Sequence, residues 1–365
     1  MKKLSILFSV MLVLAMILSA CGQEENETSD TSDDAAGNTA ETLKVYTTLY
    51  PLEYFASRIG GDHVEVTNIV PAGADAHSFE PTANQMIEIA DGDLFIYNGA
   101  GFEGFAERIK ETIASHEVMI LTAADGLEFI GYDHDHAHEE DDHAHEEDDH
   151  AHEEDDHAHE EDDHAHEEDD HAHEEDDHAH EEDGDDHGHA HGEEDPHVWL
   201  DPLRAVQLAE NIKTALVELY PDGEELFTEN FEALTAELEA LDEEFVAMAD
   251  EISKDTIVVS HAGYGYWDDR YGIHQIGIAG LSPTNEPSIK QIQETIAFVE
   301  ANNITHIMFE QNIPVNIAET VRDEVGAEAL WLHNLESLTQ EELDGGEDYF
   351  TLMRSNIETL KTALQ

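Results

Sequence analysis

Residues 224–252 read EELFTENFEALTAELEALDEEFVAMADEI, and the architecture turns on that stretch. Phe227, Phe231, Leu234, Leu238, Leu241 and Phe245 recur at alternating spacings of four and three, with no glycine or proline between them. That spacing predicts one uninterrupted helix, about 40 Å long at 1.5 Å per residue. A helix of that length can run down the side of two lobes and join them. On its N-terminal side strand-like runs at 43–48, 64–70, 93–98 and 118–121 alternate with helical patterns at 82–90, 102–115 and 202–219. On its C-terminal side strands at 256–260, 273–278, 304–309 and 329–332 alternate with helices at 286–301 and 315–325. Strand and helix in alternation predict parallel sheets with helices on both faces. The expected fold is therefore α/β with two lobes, 43–222 and 253–365, each a parallel-type sheet flanked by helices, joined by a linker helix over 223–252.

The charge of the chain is extreme and uneven. Its net charge is −74, and residues 133–195 carry 34 of the 88 acidic residues with no lysine or arginine, so 40 excess negative charges lie elsewhere. This balance argues against nucleic acid as a partner, because its phosphates would be repelled. A cation-handling surface fits this balance, and so does adaptation to a salty or alkaline exterior.

Within 133–195 the unit His-Ala-His-Glu-Glu begins at His136 and returns every seven residues, at 143, 150, 157, 164, 171 and 178. A period of seven suggests a coiled coil, but one alanine per unit offers no seam to bury. The block is expected to be a disordered loop. It holds 18 of the 26 histidines, and paired imidazoles among carboxylates would bind Zn, Cu or Ni in preference to Mg or Ca. A solvated spacer, lengthened by repeat slippage, is the plain alternative.

The N-terminus sets the compartment. Lys2 and Lys3 precede an apolar run over 4–18, the layout of a cleavable secretory signal and too short to span a bilayer. The next residues, Leu18-Ser19-Ala20-Cys21-Gly22, resemble the lipobox of bacterial lipoproteins, in which the cysteine is acylated. Cys21 is the only cysteine, so the folded body has neither a disulfide nor a thiolate metal ligand. The expected division is a signal over 1–20, then lipidated Cys21 and a polar, disordered tether over 21–42.

Three histidines stand where an open parallel sheet places ligands, beyond the carboxyl ends of strands. His77 lies in Pro71-Ala72-Gly73-Ala74-Asp75-Ala76-His77-Ser78-Phe79-Glu80-Pro81, after the strand ending at Val70. His197 lies in Asp195-Pro196-His197-Val198-Trp199-Leu200-Asp201-Pro202, and His261 follows Val258-Val259-Ser260. More than 60 residues separate each from the next, so only a fold can bring them together.

With those segments, Ser260-His261-Ala262-Gly263-Tyr264-Gly265-Tyr266-Trp267 and Glu286-Pro287-Ser288, the chain from Leu43 onward resembles the zinc and manganese class of ABC-transporter solute-binding proteins. The closer match is its zinc-binding branch, whose members often carry a His-rich acidic loop. The resemblance implies two α/β lobes on one long helix, metal in the cleft between them, and His77, His197 and His261 as ligands. Manganese-binding relatives place a carboxylate where His261 stands. Three imidazoles suit four-coordinate Zn2+, whereas Mn2+ prefers oxygen donors. The fourth donor is Glu336 or water. The segment Ala83-Asn84-Gln85 departs from the usual Pro and Asp of the family, at a helix start rather than at a ligand.

The resemblance implies a monomeric, membrane-anchored, extracytoplasmic protein that passes Zn2+ to an ABC permease and its ATPase, and no enzyme activity. Two other readings stay open here: a surface zinc buffer or adhesin built around the His-rich block, and a zinc hydrolase using three histidines and an open position. No His-Glu-x-x-His, Gly-x-Ser-x-Gly or Gly-rich phosphate motif supports the last.

Overall fold

The structure, a computed structural model, describes residues 42–132 and 193–365. The expectations about the signal, Cys21, the tether and the His-rich repeats fall outside the described residues.

The first sheet contains β1 (Leu43–Thr47), β2 (Val64–Asn68), β3 (Leu94–Tyr97) and β4 (Met119–Thr122), all parallel, in the order β2-β1-β3-β4. Val45 pairs with Val66 on one side and Leu94 on the other. Leu94, Phe95, Ile96 and Tyr97 are all buried, as a strand covered on both faces requires. A two-residue antiparallel ladder follows, β5 (Gly131–Tyr132) against β6 (Glu193–Glu194). The second sheet contains β7 (Thr256–Val259), β8 (His274–Gly277), β9 (His306–Phe309) and β10 (Glu328–Trp331), again parallel, in the order β10-β9-β7-β8. Read in the same direction the two sheets share one topology, with the first strand lying between the second and the third. The crossovers diverge beside that first strand, and ligands gather at such switch points.

The helices are α1 (Tyr50–Gly60), α2 (Ala83–Ala90), α3 (Ala106–Ile113), α4 (Pro202–Leu219), α5 (Glu224–Glu251), α6 (Gly265–Tyr271), α7 (Ile289–Ala301), α8 (Asn316–Val325), α9 (Gln340–Gly345) and α10 (Tyr349–Ala363). The long helix forms as its spacing predicts, 28 residues burying Phe227, Leu234, Leu238, Leu241, Phe245 and Met248. Each such side chain contributes roughly 1.5–3 kcal/mol on leaving water. Its first half meets α1, through Asn230 Nδ2 to Ile59 O and Arg58 to Glu237. Its second half meets α6 and α10, through Arg270 to Asp242, Phe245 on Trp267, and Arg354 to Glu244.

Packing does not divide where the sheets do. The ring of Tyr349 on α10 sits 5.1 Å from Phe55 of α1, and its hydroxyl donates to Trp199 O at 2.6 Å. One buried apolar cluster runs through both sheets, and a smaller one around Val258, Val299 and Phe309 lies on the other face of the second sheet.

Local structure departs from expectation in several places. Helix α3 begins at Ala106 rather than Phe102, because Glu103 turns inward: its carboxylate accepts from Thr48 Oγ1, Asn98 N and Gly99 N. Helices α1, α6, α9 and α10 lie outside the helical patterns given above, although buried Leu52, Phe55, Ala56 and Ile59 give α1 helical spacing. Residues 193–195, expected to belong to the loop over 133–195, are part of the folded body, since Glu193–Glu194 form a strand and Asp195 is buried.

Candidate metal centre

The two sheets bring His77, His197, His261 and Glu336 together, with one ligand atom of each within 4.8 Å of the others. Glu336 Oε1 lies 3.0 Å from His77 Nε2, 3.7 Å from His197 Nε2 and 3.6 Å from His261 Nε2. His197 Nε2 and His261 Nε2 are 3.3 Å apart. A tetrahedron of donors about 2.0–2.1 Å from zinc has edges of about 3.3 Å. The cluster therefore has the dimensions of a four-coordinate zinc site, with Glu336 as the candidate for the fourth donor.

Each donor is aimed by a side chain that holds its backbone. Asp75 Oδ1 accepts from His77 N, Asp195 Oδ1 from His197 N, and Asn334 Oδ1 from Glu336 N, at 2.9, 2.9 and 3.2 Å. This is one local device used three times, an Asp or Asn taking the N–H two residues on. His261 gets the same service over a longer range, from Glu310 Oε2 at 3.1 Å. The topology explains that contact: His261 follows β7 and Glu310 follows β9, neighbouring strands at the switch point of the second sheet.

Two imidazoles are also oriented at their rings. Asp195 Oδ1 is 2.7 Å from His197 Nδ1, and Glu310 Oε2 is 2.8 Å from His261 Nδ1. A carboxylate there accepts a hydrogen bond from Nδ1–H, which fixes the tautomer and leaves the Nε2 lone pair for metal. Glu310 is fixed in turn by Tyr264 OH at 3.0 Å and by the Ser260 hydroxyl. Gly263 is required by crowding, since a Cβ there would lie 2.7 Å from His261 Nε2.

The segment carrying Glu336 is buried along its length and sewn to the first lobe. Trp199 Nε1 donates to Asn334 O, Tyr50 N to Glu336 O, Gly73 N to Leu338 O, and Ser337 Oγ to Ala74 O. Just before Glu336, Leu335 takes a positive φ of 60°, costing roughly 1–3 kcal/mol for a residue other than glycine.

The electrostatics suit a cation. Burial pushes the His197 imidazole below its ordinary value against the pull of Asp195. Burial acts the same way on His261, but the carboxylates of Glu310, Glu336 and Asp195, Glu310 foremost, together outweigh it and hold that imidazole up, at about 9. For Glu336 burial would raise the carboxyl, yet the three imidazoles, His77 foremost, hold it down at about 2. A cleft of about 450 Å³ opens beside the cluster and is bordered by His77, Phe102, Glu194, Pro196, Leu281 and Asn285. The other three donors are buried, so His77 faces the way in.

The three histidines and Glu336 were legible as candidates, whereas Asp195 and Glu310 were not singled out. The Asp-x-His pattern shared by 75–77 and 195–197 was the available signal for Asp195. No local signal marks Glu310, which reaches His261 from 49 residues away.

Comparison with known proteins agrees with the fold. A family model for the periplasmic zinc-uptake complex component A matches residues 45–363. The zinc-binding protein AdcA of Streptococcus pyogenes serotype M3 is 33% identical over 320 residues, which is 87% of this chain and 55% of that protein. The chain thus spans about half the length of that relative. The high-affinity zinc uptake system protein ZnuA of Bacillus subtilis is 29% identical over 364 residues, covering 100% of this chain and 98% of that one. Among solved structures, the Zn(II)-bound ZnuA-like domain of Streptococcus pneumoniae AdcA superposes with a TM-score of 0.65 at 28% identity, covering 88% of this chain and 99% of that one.

Proposed function

Because the chain belongs to the zinc-uptake complex component A family, we propose that it is the extracytoplasmic solute-binding subunit of an ABC importer, capturing Zn2+ between its two sheets for a membrane permease and its ATPase. The observation that carries this reading is the donor set itself: Glu336 Oε1 within 3.0 to 3.7 Å of three Nε2 atoms, and all four groups within 4.8 Å of one another. Zn2+ is cargo here. It meets His77 at the cleft, displaces the proton held on His261, and is enclosed when Glu336 supplies the fourth donor. Four protein donors close a tetrahedral shell and leave no position for an activated water, which supports binding rather than hydrolysis.

Zinc titration of the soluble body lacking residues 134–191 tests the reading. One tight site should remain. If only weak, multiple binding disappears with the deletion and nothing tight is left, the protein is a buffer built on its His-rich block. Turnover of an ester or peptide by the zinc-loaded body would instead make it a hydrolase.

The lipobox-like run at Cys21 supports attachment to the membrane through lipid. Cys21→Ala should release a folded protein from the membrane fraction; unchanged retention would exclude this anchor.

A further inference from the structure

We propose that His333 is a positioning residue for the fourth metal donor: its imidazole, steadied by Glu342, holds Leu335 in the left-handed turn that directs Glu336 at the three histidines. The proposal rests on the reading that Glu336 binds the metal.

Leu335 N donates to His333 Nδ1 at 2.9 Å. That nitrogen therefore carries no proton, and the ring's Nε2–H is turned to Glu342 Oε2, 3.2 Å away. Glu342 is itself fixed at the start of α9, where the same oxygen accepts from Thr339 N at 2.7 Å and Thr339 Oγ1 at 2.8 Å. The backbone of His333 is anchored separately: Asn356 accepts from His333 N and donates to His333 O, both at 2.8 Å. The ring is thus free for another duty, and it has one. Two overlapping turns result, His333 taking the N–H of Leu335 and Asn334 that of Glu336 at 3.2 Å. The bonds from Trp199, Tyr50 and Ser337 hold carbonyls of or near this segment, but none of them takes up the Leu335 N–H. Remove the imidazole, and a buried donor next to a positive φ loses its acceptor, so the turn relaxes and Glu336 is no longer aimed.

His333→Leu removes the acceptor, whereas His333→Asn restores one, since asparagine makes the same turn to the N–H two residues on. Zinc affinity by chelator competition and the visible spectrum of the Co2+ form are read for the parent, His333→Leu, His333→Asn, Glu336→Ala and His333→Leu/Glu336→Ala. Melting of the metal-free proteins shows which are folded. Expected are a loss of about tenfold or more for His333→Leu, in the range for displaced outer partners, a Co2+ spectrum like that of Glu336→Ala, and rescue to within about threefold by asparagine. The double variant should bind no more weakly than Glu336→Ala, because His333 acts through Glu336. If His333→Leu does not fold, Glu342→Ala takes its place, with the same spectral change expected. Parent-like affinity in His333→Leu, or additive losses in the double variant, overturns the proposal. A Glu336→Ala variant that binds like the parent instead overturns the donor assignment.

Discussion

His77 Nε2 lies 3.0 Å from Glu336 Oε1, although 259 residues separate them along the chain. The segments around both residues are sewn together by Gly73 N to Leu338 O and Ser337 Oγ to Ala74 O. The candidate fourth donor is therefore attached to the loop of the first.

Loss of an outer carboxylate should be felt in the metal. Glu310→Gln keeps an acceptor for Tyr264 and Ser260 but weakens the hold on the His261 Nδ1–H, and zinc affinity should fall about 10–100-fold. Gly263→Ala should cost a similar factor by a different route, because the new Cβ would press on His261 Nε2 from 2.7 Å. Affinities from competition with a calibrated chelator check both, and no change in either would place His261 outside the donor set.

Selectivity should depend on a pair of residues. A carboxylate at 261 favours Mn2+ on donor hardness, but Glu310 already lies 2.8 Å from the His261 ring. His261→Glu alone sets two buried carboxylates against each other and raises the pKa of one. The single variant should lose zinc while gaining little manganese, and His261→Glu/Glu310→Gln should shift the Zn-to-Mn ratio further towards manganese. A single variant that equals the double one in Mn2+ affinity would contradict this.

Zinc binding through His261 would displace a proton, since the pKa of that imidazole is held at about 9. Below that value a proton competes for the imidazole, so apparent affinity should rise about tenfold per pH unit as pH climbs towards about 9 and then flatten. In the metal-free protein the same raised pKa adds stability fully present below about 6.5 and lost as pH climbs through 9. Proton release by calorimetry in two buffers should approach one per zinc at pH 7.5, and Glu310→Gln should flatten the slope. A pH-independent affinity in the parent would refute the coupling.

Removing residues 134–191 joins Asp133 to Gly192 between β5 and β6, where Tyr132 pairs with Glu193. That leaves Asp-Gly as a two-residue hairpin loop, the combination type I′ turns favour. Shortening a 60-residue connection to two lowers the closure cost by up to about 3 kcal/mol on the logarithmic rule. The deleted protein should melt no lower than the parent and keep its tight-site affinity, while cells carrying it grow more slowly in chelator. A tenfold loss of affinity, about 1.4 kcal/mol, would mean the block contributes to the site itself.

What the sequence determined by itself is what local repetition can encode. Spacings of three and four specified α5 because a helix brings such residues to one face, and alternation specified two parallel sheets because crossovers must cover both sides. His77, His197 and His261 were recognisable because their short motifs stand after strands or before a capped helix. Tertiary structure decided what depends on distant neighbours. It set the start of α3, where Glu103 is drawn away by Thr48, and the edge of the acidic block, where Asp195 looks like the repeat but is buried against His197. Glu310 meets His261 only because β9 lies beside β7. Donor spacing depends on strand order and cross-lobe bonds, and a string of residues records neither until long-range packing has chosen which ends meet.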